Sequence, residues 1–534
     1  MSTKPQFQHT KQPGQHEIQP LLNLLQGDDL QQAELAAREL LERYPNAPML
    51  HNVLANALAG QRKFSEAVES FRKVVSSNPN SAELHFNLAV VLSNAGRLEE
   101  AVASYRKAVA LMPKLAVAHY NLGTALQALG KLEEAAASYR KVVAIEPGFF
   151  EAHGNLGAVL QEQGKLEQAV ASYRKALSIQ SDAKGHFNLG TALRNQGKLD
   201  DAIASYRKAI AIDPNYTEAH SNLGEALFDQ GRPDEAITSY GNALAIDPDH
   251  AEANYNLGIF LYDSGDLERA IAYFERSQVR DWRERTLYCL YKTERFEEFK
   301  EKLAPLLHAD NTSPFLATLS AHHAANFGVQ DEYNFCRNPL DFVYHGRIEP
   351  LAGADSPLRA DLLRDIEFAE IAERKQGRLV HGIQSSGNLF KRPEASFKAL
   401  SSLVKGMVEA YRTHFASQDC VFMKAFPKNI EFSSSWYVRM RTGGHLTSHI
   451  HETGWLSGSL YLAMPSANAD SEEGSIEFST HGDNYPQRHA GFPKRTISPH
   501  VGDIVLFPSS LFHRTIPFSS TEERVCIAFD VKPL

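Results

Sequence analysis

Three histidines in this chain have the spacing of a metal site. His449 and His451 are separated by one residue, and His513 follows 62 positions after His451. Residues two positions apart on a β-strand point to the same face, so His449 and His451 would present their imidazoles together. His513 would enter from a later strand and complete one face of an ion. Imidazole suits Fe, Zn, Cu and Ni about equally, so these residues predict a metal centre without choosing the metal.

Two further side chains could hold an organic ligand beside that metal. Arg524 follows His513 closely, and its guanidinium fork matches a carboxylate that also reaches the metal. Tyr461 could add a hydroxyl hydrogen bond to the same carboxylate. The alternatives are a surface strand arginine and a tyrosine in ordinary core packing. Glu452 adjoins the histidine pair, but on a regular strand it faces the opposite way.

The sequence around these side chains predicts β-strands. Short segments rich in β-branched and aromatic residues are separated by chain-breaking residues. The segments are 436–440, 458–463, 474–478, 502–507 and 524–529, and the separating prolines are Pro465, Pro493, Pro508 and Pro517. Such a series is typical of an all-β barrel, in which a metal would lie in the mouth.

The order of motifs in this region resembles that of the Fe(II)/2-oxoglutarate-dependent oxygenases, closest to the prolyl-hydroxylase-like branch. Gly443 lies six residues before His449, and a Tyr-Leu pair starts at Tyr461. The later motifs are Gly474 to Phe478, Pro499-His-Val-Gly-Asp-Ile-Val-Leu-Phe507, the distal His513 and the basic Arg524. The resemblance covers 431–534 well and extends loosely back to about residue 375. Each motif alone is weak, but their shared order carries the resemblance.

This resemblance implies a fold, a reaction and a set of ligands. The fold would be a double-stranded β-helix, or jelly-roll, braced by helices. Fe(II) would be held by His449, His451 and His513, and 2-oxoglutarate by Arg524 and Tyr461, with O2 as the oxidant. The reaction would be a hydroxylation, and no catalytic residue is expected beyond the metal ligands.

The third metal position departs from the family pattern. The family has a carboxylate where this chain has His451. Three neutral imidazoles leave Fe(II) with its full charge, which dianionic 2-oxoglutarate could balance. The motif also resembles the first metal motif of cupins, but Trp455 and Leu456 stand where their glutamate is expected. Whether the third ligand is His451 or a carboxylate therefore stays open.

The first half of the chain repeats with a 34-residue period from about residue 17 to residue 280. Aromatic anchors recur at Phe71, Tyr105, Tyr139, Tyr173, Tyr206, Tyr240 and Phe274. The pattern is similar to that of tetratricopeptide repeats, which are pairs of antiparallel helices. Residues 17–50 form a degenerate first unit, with Ala37 in the anchor position. Residues 280–308 are expected to form a shortened closing pair.

One repeated position is not required for packing. Asparagine occupies an equivalent place on the first helix of six consecutive units: Asn87, Asn121, Asn155, Asn188, Asn222 and Asn256. The first helices of tetratricopeptide repeats line the concave surface. An amide offers a donor and an acceptor, so this asparagine ladder could bind an extended peptide backbone without reading its sequence. The alternative is that asparagine is only the consensus residue.

Length and composition limit the remaining interpretation. The 534 residues predict two or three domains, with net charge −9 and dispersed basic residues that do not suggest nucleic acid. Four separated cysteines suit a reducing compartment, and no apolar run suggests a signal peptide or membrane span. We expect a cytoplasmic protein and leave an oligomer open. The expected organisation is a disordered 1–16, repeats over 17–308, a connector with bracing helices over 309–430, and the oxygenase core over 431–534.

Three functions compete on these grounds. The first is a dioxygenase that hydroxylates a protein or peptide captured by the repeats. The second is an oxygenase of small molecules in which the repeats serve only recruitment or oligomerisation. The third is a scaffold protein with an inactive, cupin-like barrel, for which the histidine at position 451 is the main argument.

Overall fold

The computed structural model describes residues 12–307, 312–368, 371, 373–374, 378–452, 454–466 and 471–533. The chain divides into two compact units, residues 1–253 and 254–534. Residues 1–11 of the segment predicted to be disordered, and residues 308–309 at the predicted end of the repeats, lie outside the described residues. No helix within the described ranges is long and apolar enough to cross a membrane.

The first unit consists of helices that pack in consecutive antiparallel pairs. They are α1 (Gln15–Gln26), α2 (Leu30–Arg43), α3 (Pro48–Gly60), α4 (Phe64–Ser77), α5 (Ala82–Asn94), α6 (Leu98–Leu111), α7 (Ala116–Ala128), α8 (Leu132–Ile145), α9 (Phe150–Glu162), α10 (Leu166–Ile179), α11 (Ala183–Asn195), α12 (Leu199–Ile212), α13 (Thr217–Asp229) and α14 (Pro233–Ile246). This arrangement confirms the predicted tetratricopeptide repeats.

The repeat period has a packing cause within each pair. The anchor Tyr139 is fully buried on α8, and its ring fills the space above Gly123 on α7. A Cβ atom on Gly123 would lie only 2.8 Å from that ring. Gly130 at the turn adopts φ +69°, a left-handed conformation that disfavours other residues. The glycine, the aromatic anchor and the turn glycine therefore recur together.

Histidines that begin the first helices have a structural role. The Nε2 atom of His119 lies 3.0 Å from the Pro113 carbonyl oxygen, and His153 makes the same contact with Pro147. His51, His85 and His220 repeat this bond to the proline six residues earlier. In the unit that lacks one residue, His186 instead contacts Ser181 Oγ at 3.0 Å. These histidines fix the loop between successive repeats.

The second unit begins with further helices. They are α15 (Ala251–Asp263), α16 (Leu267–Ser277), α17 (Trp282–Lys292), α18 (Phe296–Leu307), α19 (Pro314–Phe327), α20 (Glu349–Ala352), α21 (Pro357–Phe368), α22 (Ala395–His414) and α23 (Val421–Lys424). Helices α17 and α18 lie in the segment predicted to form the closing pair, and α22 lies in the segment predicted to supply bracing helices. Two 3-10 turns cover Pro339–Phe342 and Leu389–Lys391.

Two antiparallel sheets complete this unit. The strands are β1 (Tyr344–Arg347), β2 (Glu373–Arg374), β3 (Leu379–Ser385), β4 (Ile430–Leu446), β5 (Leu456–Ala463), β6 (Ile476–Ser479), β7 (Lys494–Ile497), β8 (Asp503–Pro508), β9 (Phe512–Thr515) and β10 (Arg524–Pro533). One sheet has the order β1-β8-β5-β10-β4-β3-β2, and the other has the order β7-β6-β9. This is the predicted jelly-roll, with strands β1 to β3 added from the region expected to be only connector and helices.

A single apolar cluster joins the two sheets. Met440, Phe478 and Phe507 are among its buried members, and the ring centroids of Phe478 and Phe507 lie 4.8 Å apart with their planes inclined by 60°. The motif glycines Gly443 and Gly474 have φ of +77° and +75°, which explains why glycine stands there. Both sheets therefore surround one apolar interior. The polar side chains of the candidate site lie at the end of this interior.

Candidate active site

The three predicted metal ligands lie together at the end of the barrel. His449 and His513 are joined by reciprocal backbone hydrogen bonds of 3.1 and 3.0 Å. The ring centroid of His513 lies 4.3 Å from that of His449 and 5.0 Å from that of His451. One nitrogen of each ring lies within 4.8 Å of the other two, which suits a shared ion. The structure therefore brings all three residues into one cluster.

In each of the three histidines, Nδ1 is the ring nitrogen that makes a hydrogen bond within the protein. Nδ1 of His449 lies 2.8 Å from the Thr447 carbonyl oxygen, and Nδ1 of His513 lies 3.3 Å from that of Leu511. Nδ1 of His451 lies 2.5 Å from Oδ1 of Asp530. Such bonds fix the tautomer and leave each Nε2 atom for a metal.

Burial prepares two of these imidazoles for metal binding. Burial, together with the neighbouring His451, lowers the pKa of His449 to about 3. Burial also holds the pKa of His513 well below its ordinary value. Both rings are therefore neutral at pH 7, as metal ligation requires.

A carboxylate, that of Asp530, lies next to this site and contacts the Nδ1 atom of His451. Asp530 on β10 accepts hydrogen bonds from Ser457 Oγ at 2.7 Å and Ser434 Oγ at 2.9 Å, besides its contact with His451. Burial raises the pKa of Asp530, but His451 and the serine hydrogen bonds outweigh this and hold it below the usual range. The negative charge that the family has at position 451 is thus supplied through an imidazole.

Glu452 faces away from the histidine cluster, as the strand geometry predicts. Tyr262 on α15 donates a 3.3 Å hydrogen bond to its Oε1, and Arg285 on α17 approaches its Oε2 at 3.8 Å. Burial raises the pKa of Glu452. Its partners are residues of the helices, so the structure places it outside the metal site.

Arg524 is a buried cation without a carboxylate partner among the described residues. It is 2% exposed, and its Nε donates a 3.0 Å hydrogen bond to the Gly474 carbonyl oxygen. Its guanidinium carbon lies 5.0 Å from the centroid of Tyr461. Burial raises the pKa of Tyr461 to about 12, and its hydroxyl has no hydrogen-bond partner in the described part of the chain. A buried guanidinium and a buried free hydroxyl are costly unless a ligand satisfies them.

The histidines and Arg524 line one cavity of about 360 Å³. Side chains two residues apart on β10 contribute to its wall: Arg524, Cys526, Ala528 and Asp530. Gln384 and Ser385 of β3 line it as well and are almost fully buried. The cavity size suits a small dicarboxylate, with the histidines near one end and Arg524 near the other.

The residues present fit Fe(II) and 2-oxoglutarate. Three neutral imidazoles with free Nε2 atoms can hold the metal, and Asp530 supports one of them. Arg524, which has no carboxylate partner among the described residues, matches the distal carboxylate, and the Tyr461 hydroxyl can donate to it.

The asparagine ladder is partly occupied by contacts within the repeats. All six ladder residues are half-buried. Nδ2 of Asn155 donates to the Tyr120 hydroxyl at 3.0 Å and lies 3.5 Å from that of Tyr139. Asn121 and Asn222 interact with the hydroxyls of anchor tyrosines in the same way. These amides therefore contribute to packing between repeats.

Sequence reasoning missed Asp530 and the wall from β3. A signal for Asp530 existed, because it lies six residues after Arg524 and strand alternation places both on one face. No comparable signal marked Gln384 and Ser385, since the segment around them carries several glycines and was expected to be a connector.

Comparisons with known proteins agree with this geometry. Residues 434–530 match the family model described as "Putative 2OG-Fe(II) oxygenase". Residues 52–116, 120–185 and 221–285 match a tetratricopeptide repeat model, and residues 190–231 match another. A search of curated proteins finds no match.

Solved structures similar to the chain are repeat proteins. The crystal structure of YrrB, described as a TPR protein with an unusual peptide-binding site, is 27% identical, with 35% of this chain and 96% of that chain covered and a TM-score of 0.32. A MamA crystal structure is 23% identical over 31% of this chain and 92% of that chain, with a TM-score of 0.31. The C-terminal part of a TPR protein from Cytophaga hutchinsonii is 20% identical. The match covers 42% of this chain and 92% of that chain, with a TM-score of 0.37.

Proposed function

We propose that this chain, which joins tetratricopeptide repeats to a 2OG-Fe(II) oxygenase domain, is an Fe(II)- and 2-oxoglutarate-dependent dioxygenase that hydroxylates a protein or peptide recruited by its repeats. The observation that carries the proposal is the buried Arg524, which has no carboxylate partner among the described residues and lines the same cavity as the three histidines. Structural arginines in a barrel interior are normally paired, whereas a cosubstrate site needs its guanidinium free.

Each residue of the cavity has a defined task in this proposal. His449, His451 and His513 hold the metal, and Asp530 orients His451 and offsets part of the positive charge. Arg524 and Tyr461 bind the distal carboxylate of 2-oxoglutarate. When bound, Fe(II) and 2-oxoglutarate together with O2 supply the oxidising chemistry. The apolar cluster around Phe478 and Phe507 excludes water from the reacting centre.

The repeats would supply the substrate. The ladder asparagines keep part of their surface exposed, which supports binding of an extended backbone in the concave groove. All four cysteines are free, which supports a reducing, cytoplasmic location.

Three measurements test the proposal. Purified protein should bind one Fe(II) and, with it, 2-oxoglutarate. It should release succinate when incubated with Fe(II), 2-oxoglutarate and cell extract, and proteins captured by the repeats should gain 16 mass units. Succinate without modified protein would indicate a small-molecule oxygenase, and no succinate despite bound metal would indicate an inactive barrel.

A further inference from the structure

A second cavity lies against the metal cavity. It also has a volume of about 360 Å³, and both cavities have Arg514 in their walls. Its lining includes Ser448, which precedes His449, and Arg514, which follows His513. A substrate side chain that enters the histidine-lined cavity past Arg514 would therefore have its neighbouring residues in this second cavity.

One ion cluster of this cavity has two cations for one carboxylate. Glu477 accepts hydrogen bonds of 2.7 and 3.1 Å from Arg514. Lys494 lies 3.3 Å from the same carboxylate and keeps 55% of its side chain exposed. Burial raises the pKa of Glu477, but Arg514 and Lys494 outweigh burial and hold it below its usual range. One positive charge in this cluster is therefore unbalanced.

A second cluster repeats this imbalance. Arg378, which also lines the metal cavity, pairs with Asp483 at 3.3 Å. Lys292 on α17 donates 2.8 Å hydrogen bonds to the backbone carbonyls of Asp483 and Asn484, so it adds a cation without using a carboxylate of its own. Of the described residues in the two clusters, four are cations and two are carboxylates.

We propose that the second cavity binds an acidic side chain of the protein or peptide substrate, next to the residue presented to the metal. This inference rests on the proposed function, because it needs a polypeptide substrate. The cosubstrate does not account for these cations, since Arg524 already offers its carboxylate a buried partner at the other end of the metal cavity. A carboxylate carries one negative charge, which matches the one unbalanced positive charge of a cluster. The N–H donors of Lys494 and Arg514 can bind it.

The test measures binding before turnover, with the full chain loaded anaerobically with Fe(II) and 2-oxoglutarate. Four pools of fluorescent 12-residue peptides are random except for a central Asp, Asn, phosphoserine or Lys. We expect the Asp pool to bind at least fivefold tighter than the Asn pool. Lys494→Glu should abolish this difference, and Glu477→Gln should increase it by freeing both cations.

Lys532→Glu is the matched control. Lys532 is 49% exposed, lies on a strand of the same domain and approaches Glu431 at 3.7 Å. Its replacement by Glu therefore makes the same charge change as Lys494→Glu, but away from the second cavity. This variant should keep the Asp preference. The inference is overturned if no pool binds, if the Asp and Asn pools bind equally, or if both lysine variants behave alike. A stronger preference for phosphoserine than for Asp would also overturn it, because the ligand would then be a phosphorylated segment.

The same samples separate this inference from the proposed function. If the wild type fails to bind 2-oxoglutarate, the proposed function itself fails. If 2-oxoglutarate binds and succinate forms but no acidic preference appears, only the substrate inference fails. A Lys494→Glu variant that loses affinity for 2-oxoglutarate would assign these cations to the cosubstrate and would also overturn the inference.

Discussion

At the scale of single residues, the site depends on where one negative charge is placed. A carboxylate that binds iron directly would contribute one charge and one ligand atom. In the proposed site, Asp530 would contribute the charge through the His451 ring, which it contacts, and the imidazole would contribute the ligand atom. The buried serine hydroxyls that donate to Asp530 keep it ionised and fix its position. His451 and Asp530 therefore act as a pair, and they should be tested as a pair.

His451 should resist replacement by aspartate unless Asp530 changes with it. His451→Asp places a second carboxylate next to Asp530, where two like charges disfavour each other. We expect His451→Asp alone to bind Fe(II) at least tenfold more weakly than the wild type. The double variant His451→Asp, Asp530→Asn should recover iron binding and succinate formation, as calorimetry and a succinate assay would measure.

Two single changes serve as controls for this pair. His451→Ala should lower metal affinity about as much as His513→Ala, and Asp530→Asn should lower it about tenfold to a hundredfold. Full iron affinity in His451→Ala would show that His451 is not a ligand.

Arg524 should govern affinity for 2-oxoglutarate and not affinity for metal. A buried carboxylate that loses its charged partner costs about 2–5 kcal/mol, so Arg524→Ala should weaken 2-oxoglutarate binding at least tenfold. Metal binding, measured separately, should stay within about twofold of the wild type. Arg439→Ala is a suitable control, because Arg439 lies on the adjoining strand β4 and pairs with Glu523 at 2.7 Å. An equal loss of metal and 2-oxoglutarate would make Arg524 a structural residue.

At the scale of elements, regular patterns predicted far more than irregular ones. The 34-residue period predicted the helical pairs because each anchor packs over a small residue, which is glycine for Tyr139 and four other anchors and alanine for Phe71 and Tyr105. Strand alternation predicted that His449 and His451 would share a face. Strand β3 was missed because Gly382 and Gly387 weaken the strand signal, and its place beside β4 depends on pairing with a strand far along the chain.

One loop of the barrel is held by helices in a way that no local pattern could show. Asn326 on α19 donates a 2.9 Å hydrogen bond to the Pro486 carbonyl oxygen and accepts one of 2.8 Å from the Arg488 backbone. The ring of Tyr485 lies against those of Tyr288 and Tyr291 on α17. These contacts join residues about 160 to 200 positions apart, so they follow only from the folded structure.

The asparagine ladder should contribute to peptide capture and not only to packing. Replacing Asn121, Asn155 and Asn188 with Ala should weaken capture of extended peptides at least fivefold while helicity by circular dichroism stays unchanged. The paired control replaces Tyr105, Tyr120 and Tyr139 with Phe, which removes the hydroxyl partners of Asn121 and Asn155 but keeps the amides. Unchanged capture in the asparagine variant would leave the ladder a packing feature.

Asp331, which follows α19, should make the second unit less stable as pH rises. Burial raises the pKa of Asp331 to about 6, although Ser320 and the Tyr333 backbone donate hydrogen bonds to it. The folded state therefore binds its proton more tightly than the unfolded state does, and this stability is lost as pH rises from about 4 to 6.

Asp331→Asn should remove that loss, because the amide oxygen can accept both hydrogen bonds and carries no charge. We expect the free energy of unfolding to rise by about 2 kcal/mol at pH 8, after allowance for partial solvent contact, and to stay unchanged at pH 4. Denaturant titrations at the two pH values would measure this. An equal change at both would exclude titration of Asp331 as the cause.

At the scale of the whole molecule, the boundary between the two compact units does not lie where the 34-residue sequence period ends. Helices α15 to α18 continue the repeat pattern, yet they belong to the second compact unit with the barrel. Tyr262 and Arg285 of these helices contact Glu452, which adjoins the proposed metal ligand His451. The last repeat helices therefore form part of the support of the catalytic domain.

Two truncations should show this division. A fragment of residues 249–534 keeps α15 whole, and it should fold and bind Fe(II) and 2-oxoglutarate within about threefold of the full chain. It should lose peptide capture, because most ladder asparagines are absent.

A fragment of residues 314–534 removes Tyr288 and Tyr291 from the ring of Tyr485, which is only 3% exposed in the full chain. Exposing such a side chain costs about 1.5–3 kcal/mol, so its melting temperature should fall by roughly 5–10 °C relative to the longer fragment. Calorimetry of both fragments would measure the difference, and equal melting temperatures would place the boundary of the catalytic unit after the repeats.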